Sequence, residues 1–236
     1  MKFADLREKR AQAKKRPKGL RFFDELNQKA QEFAVSEEQN GGERFDWDDA
    51  QFLTEDFKEQ LRTRGFSDVE VYWSLGYCQG DGVAFYGRVW AQDLKERDEQ
   101  AKTLIESLEK AGDDISIEIT GASGHYHHWN SMTVEVEFDS ELEDDELPSR
   151  LKIARPVWRD EFEECLSEKV KEISRELEKS GYAEIEYKSD EETIKNDLLE
   201  REHLYEKDGS RAMDEFEFFE WSKNEKNTAV SEKICC

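Results

Sequence analysis

Residues 72–85 read Tyr72-Trp-Ser-Leu-Gly-Tyr-Cys-Gln-Gly-Asp-Gly-Val-Ala-Phe85. They join two runs, 68–75 and 83–90, in which apolar and polar residues alternate. Alternation with a period of two predicts half-buried strands. Three glycines between the runs permit the tight or bulged turn that a hairpin needs. The stretch therefore predicts a β-hairpin with an unusually polar tip.

A second pair of alternating runs, 114–120 and 132–138, flanks another polar hinge at 121–131. Apolar residues at three- and four-residue spacing predict helices at 46–64, 91–111, 155–180 and 189–202, and an earlier helix that Asp24 caps. Residues 182–188 alternate and predict a short strand. The order predicts an α+β fold: an antiparallel-rich sheet built from two hairpins, covered by helices, with a long C-terminal helix.

Composition shifts divide the 236 residues into five predicted parts. They are a basic N-terminal arm (1–19), an α+β core (20–138), an acidic linker (139–149), a helical C-terminal part packed on the core (150–209) and an acidic and polar mobile tail (210–236).

The net charge of -23 is unevenly spread. Residues 1–21 hold nine Lys and Arg against two acids, which leaves 26 basic and 56 acidic residues in the remainder. An acidic body repels nucleic acid phosphates and favours a basic protein surface, so direct DNA binding is not expected. Simple solubility is the alternative explanation of the charge. No apolar run is long enough for a membrane span and no signal peptide is present, so we expect a cytoplasmic protein without membrane contact.

The four cysteines lack metal-ligand spacing, so free thiols are expected, Cys78 among them as a buried and inert one. No metal site and no cofactor are predicted.

The first hinge offers polar groups that could bind a ligand or partner: Ser74, Tyr77, Gln79, Gly80, Asp81 and Gly82. Closely spaced glycines can turn backbone N–H groups towards an anion, and Asp81 can act as a base. No Lys-Ser/Thr pair follows, and the next element is a strand, so phosphate-loop and dinucleotide motifs are excluded. The alternative is a bulged turn held by the Asp81 side chain.

The second hinge holds three of the four histidines of the chain. Its candidate binding residues are His125, Tyr126, His128 and Asn130, and His125, His128 and Asp81 are the candidate catalytic groups. A hydrogen-bonded turn is the structural alternative. If residues 91–111 form one helical pass, the two hinges lie at opposite ends of the sheet. If the segment bends within 95–99, they share one end.

Three blocks resemble a family of small proteins encoded in tailed-phage genomes: Phe23-Asp-Glu-Leu-Asn-Gln-Lys-Ala30, Ser74-x4-Gln-Gly-Asp-Gly-x2-Phe85, and Gly124-His-Tyr-His-His128 with Asn130-Ser-Met-Thr-Val-Glu135. Some members are labelled as the N-terminal part of an antitoxin from a toxin–antitoxin stability system. The resemblance covers about residues 20–138, and Leu75-Gly-Tyr-Cys78 departs from the usual Ser-Gly-Phe before Gln-Gly-Asp-Gly.

The resemblance implies a phage or mobile-element accessory protein and no particular reaction. The leading hypothesis is a binding protein in the host cytoplasm that inhibits a host factor, such as a defence component. It would act through its acidic surface or through a pocket for a nucleotide-like small molecule. The alternatives are a hydrolase of phosphodiesters or nucleotide derivatives that uses His and Asp, and an antitoxin that binds its toxin directly.

Overall fold

The computed structural model describes residues 16–41, 45–121, 126–140, 147–214 and 216–221. These residues form an α+β fold with a four-stranded antiparallel sheet, a two-stranded sheet and a long helix towards the C-terminus. The basic segment 1–15 and the terminal residues 222–236 lie outside the described residues. Within the described ranges, no helix is long and apolar enough to cross a membrane.

The chain divides into two compact units. The central unit is Trp47–Glu184, and the terminal unit joins Met1–Asp46 with Ile185–Cys236. The five-part division drawn from composition stays a prediction.

The sheet of the central unit has the order β1-β2-β3-β4, with every neighbouring pair antiparallel. The strands are β1 (Asp68–Ser74), β2 (Gly82–Val89), β3 (Asp113–Gly121) and β4 (Met132–Ser140). Both predicted hairpins are therefore confirmed.

The two hairpins are joined by a short ladder. β1 and β2 pair over seven register positions and β3 and β4 over nine, whereas β2 and β3 pair over three, from Gly87↔Ile119 to Val89↔Ile117. Nearer the tips, the Phe85 N–H donates to the Met132 thioether sulfur at 3.3 Å instead of to a strand carbonyl.

Helices cover one face of the sheet because their apolar stripes match its inward side chains. In α2 (Trp47–Arg62), the buried residues recur every four positions: Leu53, Phe57 and Leu61. Phe57 meets Trp73 of β1 edge to face at a centroid distance of 6.4 Å. The side chains of Val83, Phe85, Ile117 and Ile119 are buried on the strands of this face. Burial of such side chains is the main source of stability of the unit.

The segment between the hairpins forms two helices instead of the single predicted one. α3 (Ala91–Arg97) and α4 (Glu99–Lys110) meet at Asp98, whose extended backbone (φ -138°, ψ 111°) breaks the helix. The Asp98 carboxylate then accepts the N–H groups of Gln100 and Ala101 at 2.8 Å each, which caps α4. The chain therefore doubles back before it enters β3.

The long helix α5 (Ser149–Ser189) is longer at both ends than predicted. The strand predicted at 182–188 is wrong, because these residues continue the helix. Gly181 explains why the helical form packs well here: a Cβ at Gly181 would lie 2.4 Å from Leu75 Cδ1 and 2.9 Å from Phe57 Cζ. The next helix, α6 (Glu191–Glu200), is capped by Asp190 and not by Ser189.

A buried ion pair fixes the start of β3 to α5. Asp113 is 4 % exposed, and its carboxylate accepts from Arg159 Nε at 2.9 Å and Nη2 at 2.6 Å. Ser140 of β4 also donates to this carboxylate at 2.9 Å. Such bidentate pairing compensates the desolvation of the buried charge.

The terminal unit packs α1 (Gln28–Asn40) and α6 around a small core. Asn27, and not Asp24, caps α1, because Asp24 lies in a short 3-10 helix, Phe23–Glu25. β5 (Leu204–Tyr205) and β6 (Arg211–Met213) form a two-stranded sheet. Phe218 is 1 % exposed and meets Phe22 at 6.0 Å, so the described part of the predicted mobile tail supplies a strand and a core side chain.

Candidate functional site

The two hinges lie at the same end of the sheet. β2 ends at Val89, which pairs with Ile117 near the start of β3, so the α3–α4 segment begins and ends at the same end of the strands. The β1–β2 and β3–β4 turns must then both lie at the other end of the strands. The structure thus brings the two hinges together, and we call this region the tip site (residues 74–82 and 126–131).

Two glycines of the first hinge leave room for residues of the second hinge to pack against them. An ideal Cβ on Gly80 would lie 2.1 Å from Tyr126 Cδ1, and one on Gly82 would lie 2.7 Å from His128 Cβ. Both glycines also have positive φ, 94° and 152°, which L side chains rarely adopt. The Gln-Gly-Asp-Gly block therefore encodes a contact between hairpins as well as a turn.

Asp81 organises the backbone of the first hinge. Its carboxylate accepts from Ser74 Oγ at 2.8 Å, from the N–H groups of Gly76 and Cys78 at 2.7 Å each, and from Tyr182 Oη at 3.2 Å. Desolvation acts to raise the pKa of Asp81, but these hydrogen bonds outweigh it and the pKa is lowered. Of the alternatives for Asp81, this geometry is that of the turn held by an Asp side chain.

Tyr77 is held in a strained conformation by a ring contact. It has φ 58°, the one positive value among the described non-glycine residues, and its ring lies 4.6 Å from that of Tyr182. Burial acts to raise the pKa of the Tyr182 hydroxyl, as does the adjacent Asp81 carboxylate. Tyr182 thus supports the hinge twice, through Asp81 and through Tyr77.

The second hinge is a hydrogen-bonded turn. His128 Nδ1 accepts from the Asn130 N–H at 3.0 Å, which places the proton of the neutral ring on Nε2. The Ser131 hydroxyl lies 2.8 Å from the His128 carbonyl oxygen and 3.0 Å from its N–H. Arg175 of α5 lies 4.1 Å above the Trp129 ring. His125, a candidate catalytic and binding residue, lies outside the described residues.

The candidate residues that are described all belong to the tip site. Gln79 and Asn130 are exposed, and so is Cys78, which corrects the prediction of a buried thiol. The sequence did not identify Tyr72 and Tyr182 as residues that contribute to the candidate site. Tyr72 could have been found, because alternation already points it away from the core, whereas Tyr182 is a hundred residues away and fell in the wrongly predicted strand.

Three tyrosines are exposed around the tip site: Tyr72 at 46 %, Tyr77 at 66 % and Tyr126 at 59 %. Each is supported by a neighbour. Tyr72 stacks on His127 with ring centroids 5.4 Å apart, Tyr77 lies on Tyr182, and Tyr126 lies against Gly80.

The outer face of the sheet adjoins these tyrosines and is strongly acidic. Register pairing places seven exposed acids and one exposed base on this face, which we call the acidic face: Asp68, Glu70, Asp114, Glu118, Glu135, Glu137, Asp139 and Arg88. Glu118 pairs directly with Glu135, and Asp114 with Asp139. Like charges directly opposite each other destabilise a sheet.

The described residues contain no group of three or more His, Cys, Asp or Glu that could hold a metal ion. The exposed groups of the tip site include the Tyr77 and Tyr126 rings and the Gln79 and Asn130 amides.

Residues 47–194 match a family described as a domain of unknown function, DUF8835. The chain belongs to this family. The matched region holds the whole central unit, with the tip site and the acidic face. No curated protein and no solved structure matches the chain.

Proposed function

We propose that this DUF8835 protein is a binding protein that occupies a basic surface of a host protein and thereby inhibits it. The tip site supplies aromatic anchors, and the acidic face supplies complementary charge. The observation that carries the proposal is the joining of the two hairpin tips, which places three supported tyrosines beside a face with seven acids.

The tyrosines suit an interface because they are both exposed and held. Tyrosine is enriched among the residues that contribute most to protein–protein affinity. A side chain that already rests on a neighbour loses less conformational freedom on binding than a free one. The contacts of Tyr72 with His127 and of Tyr77 with Tyr182 therefore lower the entropic cost of binding.

The paired acids of the acidic face also support a basic partner. The Glu118–Glu135 and Asp114–Asp139 pairs place like charges directly opposite each other, which disfavours the sheet in the free protein. A basic partner surface would neutralise this repulsion, so the repulsion in the free protein becomes attraction in the complex.

The resemblance to tailed-phage accessory proteins makes the host cytoplasm the proposed location and a host factor, such as a defence component, the proposed partner. An antitoxin would use the same surface against a toxin, so the identity of the partner separates these two proposals. The hydrolase alternative has less support, since all four hydrogen bonds of Asp81 go to the hinge and to Tyr182. A nucleotide-like anion would also meet repulsion from the adjoining acidic face.

The test is affinity capture of the tagged full chain from host cells, followed by binding measurements with the captured protein. We expect Glu118→Gln with Glu135→Gln to weaken binding roughly tenfold at low salt, mainly through a slower association rate, and salt to weaken the wild-type complex. The matched control is Glu163→Gln with Glu164→Gln, two exposed acids on α5.

Tyr77→Ser and Tyr126→Ser test the anchors, and each should speed dissociation. An affinity that is flat from low to high salt, or that falls equally in the α5 control, would show that the acidic face is not the interface. Turnover of a nucleotide derivative that is lost in His128→Ala would favour the hydrolase instead.

A further inference from the structure

The strand β4 forms one edge of the sheet in the central unit. It pairs with β3 along its whole length, and no other strand among the described residues pairs with its far side. An edge strand presents a row of unpaired N–H and C=O groups to which another extended chain can bind. With nine residues, β4 exceeds the usual strand length of about five or six, so this edge offers several such groups.

The apolar layer beneath the sheet is closed at β3 but open at β4. Ile117 and Ile119 of β3 are 0 % and 1 % exposed. Their register partners on β4, Val136 and Val134, are only half-buried. Apolar side chains of an added strand would lie beside these two valines and remove their remaining surface from water, which favours association.

The other side of β4 carries a row of negative charge. Glu135, Glu137 and Asp139 are exposed there, and they are spaced by two residues, roughly 7 Å, along the strand. Charged residues on an edge strand also prevent aggregation, which would explain the three acids by itself. It does not explain the half-buried valines on the opposite side, which a covering strand would complete.

The charges select between possible occupants of the edge. In an antiparallel pair of two β4 strands centred on Glu137, Glu135 of each copy would lie opposite Asp139 of the other, so a second copy of the chain is disfavoured. A segment with Lys or Arg at every second position would instead place opposite charges side by side. Its intervening residues would then point to the half-buried valines.

We propose that β4 binds an extended segment of the partner protein as a fifth strand of the sheet, and that this segment alternates basic and apolar residues. Backbone hydrogen bonds to β4 supply affinity, and the alternating side chains supply specificity. The inference rests on the function proposed above, because it states how the basic partner is held.

The test uses the full chain and a fluorescent peptide of alternating Lys and Val with the length of β4. A peptide of the same composition with its lysines in one block should bind roughly tenfold more weakly. Two further peptides carry N-methyl groups on all lysines or on all valines. Alternate N–H groups of a strand point to opposite edges, so one of these two peptides should lose about tenfold in affinity and the other should not.

Variants of the chain locate the bound peptide. Glu137→Gln with Asp139→Asn should weaken binding about fivefold, the effect of two exposed charge pairs. The matched control is Asp68→Asn with Glu70→Gln, two exposed acids of the same face on β1. β1 lies three strand spacings away, about 14 Å, which exceeds the screening length of about 8 Å at physiological salt, so this control should change affinity by less than about twofold.

The proposal is overturned if the alternating peptide does not bind, or if the block peptide or both N-methylated peptides bind as tightly as it does. Equal losses in the β4 and β1 variants would also overturn it. A dimer of the free chain that the peptide dissociates would show that the occupant is a second copy. The salt dependence of the captured partner tests the acidic face separately, so the strand pairing can fail while the proposed function stands.

Discussion

Asp81 and Tyr205 combine exposure and hydrogen bonding in opposite ways. Asp81 lies in a partly exposed hinge and accepts four hydrogen bonds, whereas Tyr205 is 2 % exposed and its hydroxyl makes none. A saturated carboxylate has little capacity left for a ligand, so its residue serves the fold. A buried donor without an acceptor lowers the stability of the folded protein.

Removal of the Asp81 carboxylate should have the largest effect. We expect Asp81→Ala to lower the free energy of unfolding by about 3 kcal/mol, because two backbone N–H groups and two hydroxyls lose their acceptor. Urea denaturation measures the change. Asp208→Ala is the matched control, since Asp208 also holds a turn, through two hydrogen bonds from Ser210, and this change should lower stability much less. Equal losses in the two variants would show that the hinge does not depend on Asp81 in this way.

Gly80→Ala should have the next largest effect on stability. The positive φ of 94° disfavours any side chain, and the added Cβ would displace the Tyr126 ring, so we expect a loss of about 1–2 kcal/mol. Repeating the change in a Tyr126→Ser background separates the two causes, because only the backbone strain remains there. If the loss is the same in both backgrounds, the ring contact between the tips contributes nothing.

Tyr205→Phe should change stability in the opposite direction from Asp81→Ala. Removal of the unpaired hydroxyl leaves the buried ring in place and should raise the free energy of unfolding by about 1 kcal/mol. Tyr187→Phe should leave it within about 0.5 kcal/mol of wild type, as expected for an exposed position. A destabilised Tyr205→Phe would mean that the hydroxyl finds an acceptor in solution, which would remove the contrast with Asp81.

The smallest expected effect is the pH dependence. The folded-state pKa of Asp81 is lowered, so its ionised form stabilises the folded protein above the unfolded-state pKa of about 3.9, and this stabilisation is lost as pH falls through the folded-state pKa. The stability difference between wild type and Asp81→Asn should therefore be constant near neutral pH and shrink below about pH 4. A difference that grows in acid would contradict the lowered pKa.

Much of the central unit could be predicted because alternation and helical spacing report burial directly. The pairs 68–75 with 83–90 and 114–120 with 132–138 became hairpins. The same rule failed at 182–188, where the residues continue α5, and Gly181 of this helix leaves room for Leu75 and Phe57. Local pattern is a weak guide where a tertiary contact decides the conformation.

The residues of the tip site could be predicted from the sequence, but their contacts could not. The glycines, Asp81 and the histidines could be singled out as unusual for a hairpin tip. That the tips meet depended on the break at Asp98, and that Asp81 is saturated depended on Tyr182, a hundred residues away. The like-charge pairs of the acidic face depend on strand register, which composition does not report.

The three-position ladder between β2 and β3 has a consequence for motion. Each hairpin is closed by its own long ladder, while the tips are held together by side chains and by the Phe85–Met132 contact. In native-state hydrogen exchange, the hairpins should therefore behave as two separately protected units with a seam between them. The Phe85 amide, which donates to a sulfur atom, should exchange faster than the Ala84 amide of the same strand, which faces β1 within the long ladder. The four strands thus form one continuous sheet in the folded structure, but the two hairpins should open independently of each other.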